Sequence, residues 1–133
     1  MKYVLALLAM IPLPASAQAR SYVEGQVWAY KTRPGDDGSL LKIQKIETDK
    51  RGRPIYHISV IGFHLSDPHY APILPHEPVS QQSLDESVTE LKADPGTFPS
   101  ADSGIAEWRS ANGGVYTISI AKTIDVLDQT LRK

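Results

Sequence analysis

The sequence predicts an α+β domain: an antiparallel sheet of three to four strands opened by an N-terminal meander, with two or three helices packed on one face. Three observations predict it. Runs rich in aromatic and β-branched residues fill the first half, separated by short clusters of turn residues. Helical periodicity begins only after Val79. The later apolar residues fall in single stripes, as on helices with one buried side.

The segment before these elements reads as a secretory signal outside the fold. Lys2 supplies a positive start, Val4 to Leu13 an apolar run, and Ala15-Ser16-Ala17 the small residues a signal peptidase inspects. Ala17-Gln18-Ala19 repeats the pattern, so cleavage is expected after residue 17 or, alternatively, 19. The run is too short to span a bilayer, which argues for removal. Residues 18–133 are then expected to form one exported domain, periplasmic or secreted, with no membrane association after cleavage. The chain has no cysteine, so neither disulfides nor a lipoprotein anchor can reinforce it.

Gln26 to Thr32 reads as the first strand, and Arg33-Pro34-Gly35-Asp36-Asp37-Gly38 as the turn after it. Ser39 to Thr48 is the second strand. Its Leu41 and Ile43 share a face that Ile46 leaves, which predicts either a bulge near Gln44 or cover on both faces. Asp49-Lys50-Arg51-Gly52 turns into Ile55 to Phe63, where Tyr56, Ile58 and Val60 alternate onto one side. From Ser66 to Val79, Pro68, Pro72, Pro75 and Pro78 predict a stiff extended loop, because proline cannot donate to a sheet ladder.

A helix is expected from Ser80 or Ser83, where Ser83-Leu84-Asp85-Glu86 has capping-box form. Leu84, Val88 and Leu91 would be its apolar stripe, and Asp94-Pro95-Gly96 its end. Ser103 to Asn112 reads as a short helix carrying Ile105 and Trp108, closed by Gly113 in the left-handed region. Val115 to Ile118 would add a fourth strand. Ser119 then caps a last helix with Ile120, Ile124, Leu127 and Leu131 on one face.

Composition excludes some partners. The full chain carries 14 basic and 15 acidic residues, net −1 with histidine neutral, which gives no case for nucleic acid. The balance is uneven along the chain. Residues 31 to 53 hold seven basic and four acidic side chains, whereas residues 77 to 107 hold seven acidic and one basic. Such polarity can guide docking of a partner, although a solvated surface has the same pattern.

Candidate chemistry is sparse. All four histidines, His57, His64, His69 and His76, lie in a twenty-residue window with Asp67 and Glu77. Imidazole is a common metal ligand, so His64, His69 and His76 are the candidates for a metal site. Their spacing matches no compact metal signature, and a strand histidine at 57 with solvated loop histidines is the simpler reading. Ser119-Ile120-Ala121-Lys122 spells the S-x-x-K of penicillin-recognising serine enzymes, but its companion motifs are absent and helix capping explains Ser119. No Walker loop, G-x-G-x-x-G, G-x-S-x-G or H-E-x-x-H occurs, so no cofactor and no catalytic residue is expected. The aromatic residues Trp28, Tyr30 and Tyr56 read as sheet core.

The proline-rich segment is the best candidate surface, since long loops in small domains tend to be functional. Tyr70, Ile73, Leu74 and His76 are its candidate binding residues. The alternative is that the segment covers a sheet edge.

The stretch Gly25 to Gly35 (GQVWAYKTRPG) and the strand Tyr56-His57-Ile58-Ser59-Val60, with Leu74-Pro75-His76 and a G-V-Y-T-I run before the last helix, resemble a group of small bacterial proteins with no established activity. The resemblance spans nearly all of the chain after the signal. It implies a stand-alone domain to which the signal is added, and it brings no activity, cofactor or site residue.

These readings lead to an expected role in binding, without chemistry, the partner being another protein or a small ligand. A small metal-dependent or hydrolytic enzyme using the histidines is the alternative, and a structural envelope component the third.

Overall fold

The computed structural model describes residues 21–94 and 96–132; the segment expected to be a secretory signal lies outside them. A single antiparallel sheet of five strands carries the fold, in spatial order β4-β3-β2-β1-β5. The strands are β1 (Val27–Tyr30), β2 (Leu40–Thr48), β3 (Pro54–Ile61), β4 (Ile73–Ser80) and β5 (Val88–Lys92). Helix α1 (Gln81–Ser87) links β4 to β5, and α2 (Asp102–Ser110) and α3 (Ile120–Leu131) follow. The α+β class and the opening meander are as the sequence predicts. Among the described residues no helix is long and apolar enough to cross a membrane.

The β2–β3 pairing shows how the apolar pattern sets the register. Ile43 pairs with Ile58, and the next pair is Lys45 with His57, leaving Gln44 as the extra residue of a bulge. That shift returns Ile46 to the face of Tyr56, where it packs on the core beside Ile43. Leu41, Ile43, Ile58 and Val60 are wholly buried there with Val79 of β4, Leu84 of α1, and Ile120 and Ile124 of α3. Tyr22 closes the cluster edge-on, its ring centroid 5.8 Å from Trp28 and 5.2 Å from Tyr56.

Four expectations are corrected. The first part of the proline-rich segment, residues 66–72, is loop as expected, but Ile73–Ser80 form β4, an edge strand. Pro78 fits because its carbonyl points outward to the amide of Tyr116 at 2.9 Å, so its missing N–H faces away from β3 and costs the ladder nothing. The predicted long helix stops at Ser87. Its cap is Ser80, whose side chain accepts from the Ser83 amide, and Val88 to Lys92 pair with β1 as β5. A buried Leu84 and Val88 satisfy helical spacing and strand burial alike, which is why the stripe misleads. The run Val115 to Ile118 forms no strand, only a parallel bridge from Tyr116 to Val79. After α2 the left-handed residue is Asn112 (φ 50°), not Gly113.

The helices also divide between the faces. α1 and α3 cover the Tyr56, Ile58 and Val60 face, whereas α2 lies on the other, against His57 and Glu47. The sheet is therefore polar beneath α2 and apolar beneath α1 and α3.

The turn after β1 is tied to α3 by Arg33. Its guanidinium meets the Asp36 carboxylate at 2.8 Å, Asp128 at 3.4 Å and the His64 carbonyl at 2.6 Å. Asp36 is buried and also accepts from the His64 amide. Removing the cation leaves a buried carboxylate without its counter-charge, so Arg33→Ala is expected to cost about 2–4 kcal/mol in urea denaturation. A loss under about 0.5 kcal/mol, the range of an ordinary surface substitution, would show the network to be dispensable.

Candidate functional site

The polar face of the sheet brings together side chains that are far apart in sequence. Directly opposed residues share a face in an antiparallel ladder, so the pairs Lys45–His57 and Glu47–Ile55 place Glu47 and His57 together. A second bulge, between the pairs Ile58–Glu77 and Val60–Leu74, brings His76 beside His57. α2 lies over them with Trp108 and Arg109.

Arg109 Nη2 and His57 Nε2 both reach Glu47 Oε2, at 2.8 and 2.7 Å, and His57 Nδ1 lies 2.8 Å from His76 Nε2. The Trp108 ring meets the imidazole of His57 edge-on at 4.8 Å, and His57 is fully buried. Desolvation works to raise the Glu47 pKa, but the bonds from Arg109 and His57 outweigh it and hold the carboxyl below its ordinary value. Burial lowers His57, only partly offset by Glu47. Burial and the neighbouring His57 take His76 down to about 4.

These protonation states assign every proton in the chain. An ionised Glu47 can only accept, so His57 carries its hydrogen on Nε2 and offers the lone pair of Nδ1. His76 must then donate from Nε2, which leaves the lone pair of its Nδ1 for other groups. No hydroxyl or thiol bonds to either imidazole among the described residues. The arrangement orients side chains and holds charge.

Two clefts flank α2 and share Trp108, Gly113 and Gly114. The larger, about 880 Å³, opens between the β2–β3 turn and the 112–117 segment, with Glu47, Lys50, Arg53 and Arg109 among its lining residues. The smaller, about 640 Å³, is lined by Pro75, His76, Glu107 and Tyr116 among others. The Glu47–His57–His76 chain runs beneath α2 from one to the other. Glycine is required at 113, because a Cβ there would overlap the Trp108 ring, whose Nε1 donates to the Gly114 carbonyl at 2.9 Å. The missing side chain at Gly113 and the backbone carbonyl of Gly114 thus seat the indole between the clefts.

The residues singled out from the proline-rich segment separate. Tyr70 and Ile73 are exposed, Leu74 packs on the core, and His76 turns inward to His57. The metal candidates do not converge: His64 and His69 are exposed and paired with Asp36 and Asp67 respectively, away from the bonded His57–His76 pair. Among the described residues no group of three His, Cys, Asp or Glu side chains is placed to hold a metal. Ser119 is the cap of α3, accepting from the Lys122 amide at 3.2 Å. Sequence reasoning missed Glu47, Trp108 and Arg109 as site residues. The one available signal concerns Trp108: the glycine five residues after it, a side chain conceded beside a large ring. Comparison of the chain with protein-family models, with curated proteins and with solved structures returns no match.

Proposed function

We propose that the protein is an exported, non-catalytic binding domain whose ligand is a small organic molecule held in the larger cleft beside α2. The observation that carries this reading is the cleft of about 880 Å³, within the range typical of small-molecule sites, walled by the seated Trp108 and by several charged side chains. Binding rather than catalysis is supported by the site's chemistry. His76, held near 4, is too weak a base to take protons efficiently at neutral pH, and neither imidazole bonds to a hydroxyl or thiol among the described residues. Export is supported by the charged, apolar and small-residue pattern of Met1 to Ala17.

Backbone amide NMR during titration with a fragment library tests the reading. Ligands that perturb resonances of residues 47–55 and 108–117, and that lose this effect in Trp108→Ala, are the expected result. Hits that map instead to Tyr70 and Ile73 would transfer the binding role to the exposed end of β4 and the loop before it.

A further inference from the structure

We infer that the ligand of the larger cleft is a small monoanionic organic acid, its carboxylate held by Arg109 with Lys50 and Arg53 and its apolar body against Trp108; this rests on reading the cleft as a ligand site. The assignment follows from which polar groups are already satisfied. Asp49 is consumed by its own turn: it accepts from the amides of Arg51 and Arg53 at 2.8 and 2.9 Å, and from Arg53 Nε at 2.8 Å. Glu47 already receives both Arg109 and His57. The donors, in contrast, are in surplus. Arg109 and Arg53 are each bonded to a side chain through a single nitrogen of the guanidinium fork, and Lys50 makes no hydrogen bond or ion pair among the described residues.

Formal charge agrees with this count. Three cations, Lys50, Arg53 and Arg109, face two carboxylates, Glu47 and Asp49, so the lining is net positive by one. An occupant that neutralises the cleft carries a single negative charge and brings acceptors rather than donors. Carboxylate suits the guanidinium fork, which pairs with planar two-oxygen acceptors through parallel bonds. The uncharged wall combines Trp108, Ile55, Pro54 and Val115 with Thr48, Ser80, Asn112 and Thr117, and its apolar part calls for a body such as a ring or short hydrocarbon rather than a free inorganic ion.

Three probes of one shape test this: benzoate, benzamide and benzylamine, titrated into the protein at neutral pH and low salt and followed by amide NMR. Benzoate is expected to bind at least about tenfold more tightly than benzamide, with benzylamine weakest. Lys50→Gln, which leaves the Glu47–His57–His76 chain untouched, is expected to weaken benzoate several-fold and leave benzamide unchanged. Arg109→Gln is expected to remove most of the preference. Equal affinities for benzoate and benzamide, or a preference for benzylamine, would overturn the assignment while leaving the cleft as a ligand site. Failure of all three probes to move the resonances of residues 47–55 and 108–117 would overturn both.

Discussion

Replacing Glu77 by Gln is expected to stabilise the fold by about 3 kcal/mol at pH 8 and to leave it unchanged below about pH 4.5. Glu77 lies opposite Ile58 in the ladder, and so on the apolar face of the sheet, with no hydrogen bond or ion pair among the described residues. Burial alone pushes its carboxyl up from the ordinary 4.5 to about 7. The folded state therefore keeps a proton that the unfolded chain releases above 4.5. The benefit is full below that value and is lost as pH rises through 7, where the carboxylate must be ionised in a poorly solvated place.

His76, the next residue, works in the opposite sense. Its folded pKa is down at about 4 from 6.5, so its contribution is full above 6.5 and is lost as pH falls toward 4. Between about pH 4.5 and 6.5 the two slopes nearly cancel, and the wild-type protein is expected to show little pH dependence from this pair. Glu77→Gln leaves the histidine slope alone, so the variant should lose stability steadily as pH falls from 6.5 toward 4, and its advantage over wild type should build between about pH 4.5 and 7 and stay constant above. Urea denaturation from pH 4 to 8 measures both curves. Curves that run parallel across the whole range would show that Glu77 ionises freely.

How far the sequence discloses this structure depends on whether each element is determined locally. Alternation in Tyr56, Ile58 and Val60 marks β3, and the misplaced Ile46 marks the Gln44 bulge, because both follow from burying one face of one strand. β4 is hidden because its right to exist lies elsewhere: Pro78 is tolerated only where Tyr116 takes the outward carbonyl. β5 is hidden because Val88 is buried under either helical or strand geometry, and only its pairing with Tyr30 decides. The site is harder still. A histidine at 57 on a strand is legible, but its partner Glu47 depends on the bulge that sets which β2 residues face it. Arg109 reaches that same carboxylate from 62 residues away. No periodicity or spacing encodes such a meeting, which arises from the docking of α2 on the polar face.

That docking makes Gly104 a residue where ordinary helix propensity should fail. Within a helix, alanine is more favourable than glycine by about 1 kcal/mol, because glycine loses more backbone freedom on folding. Gly104 lies in the first turns of α2, and a Cβ there would sit 2.5 Å from His76 Cβ and 2.9 Å from its Nδ1. Neither side can yield cheaply, since His76 Cβ is fixed to the β4 backbone and its ring is bonded to His57. Gly104→Ala is therefore expected to destabilise by about 2–3 kcal/mol, the cost of overpacking, in place of the usual gain. The same displacement should weaken the His57–His76 bond and expose the ring, so that His76 titrates closer to its ordinary 6.5 than to 4 when its imidazole nitrogens are followed by NMR. Gly114→Ala is the control, since nothing lies within 4 Å of a Cβ at that position and the change should stay within about 0.5 kcal/mol. If Gly104→Ala proved as stable as wild type, α2 would have to sit further from β4 than the contact with His76 requires. The buried chain from Glu47 to His76 would then owe its order to the sheet alone.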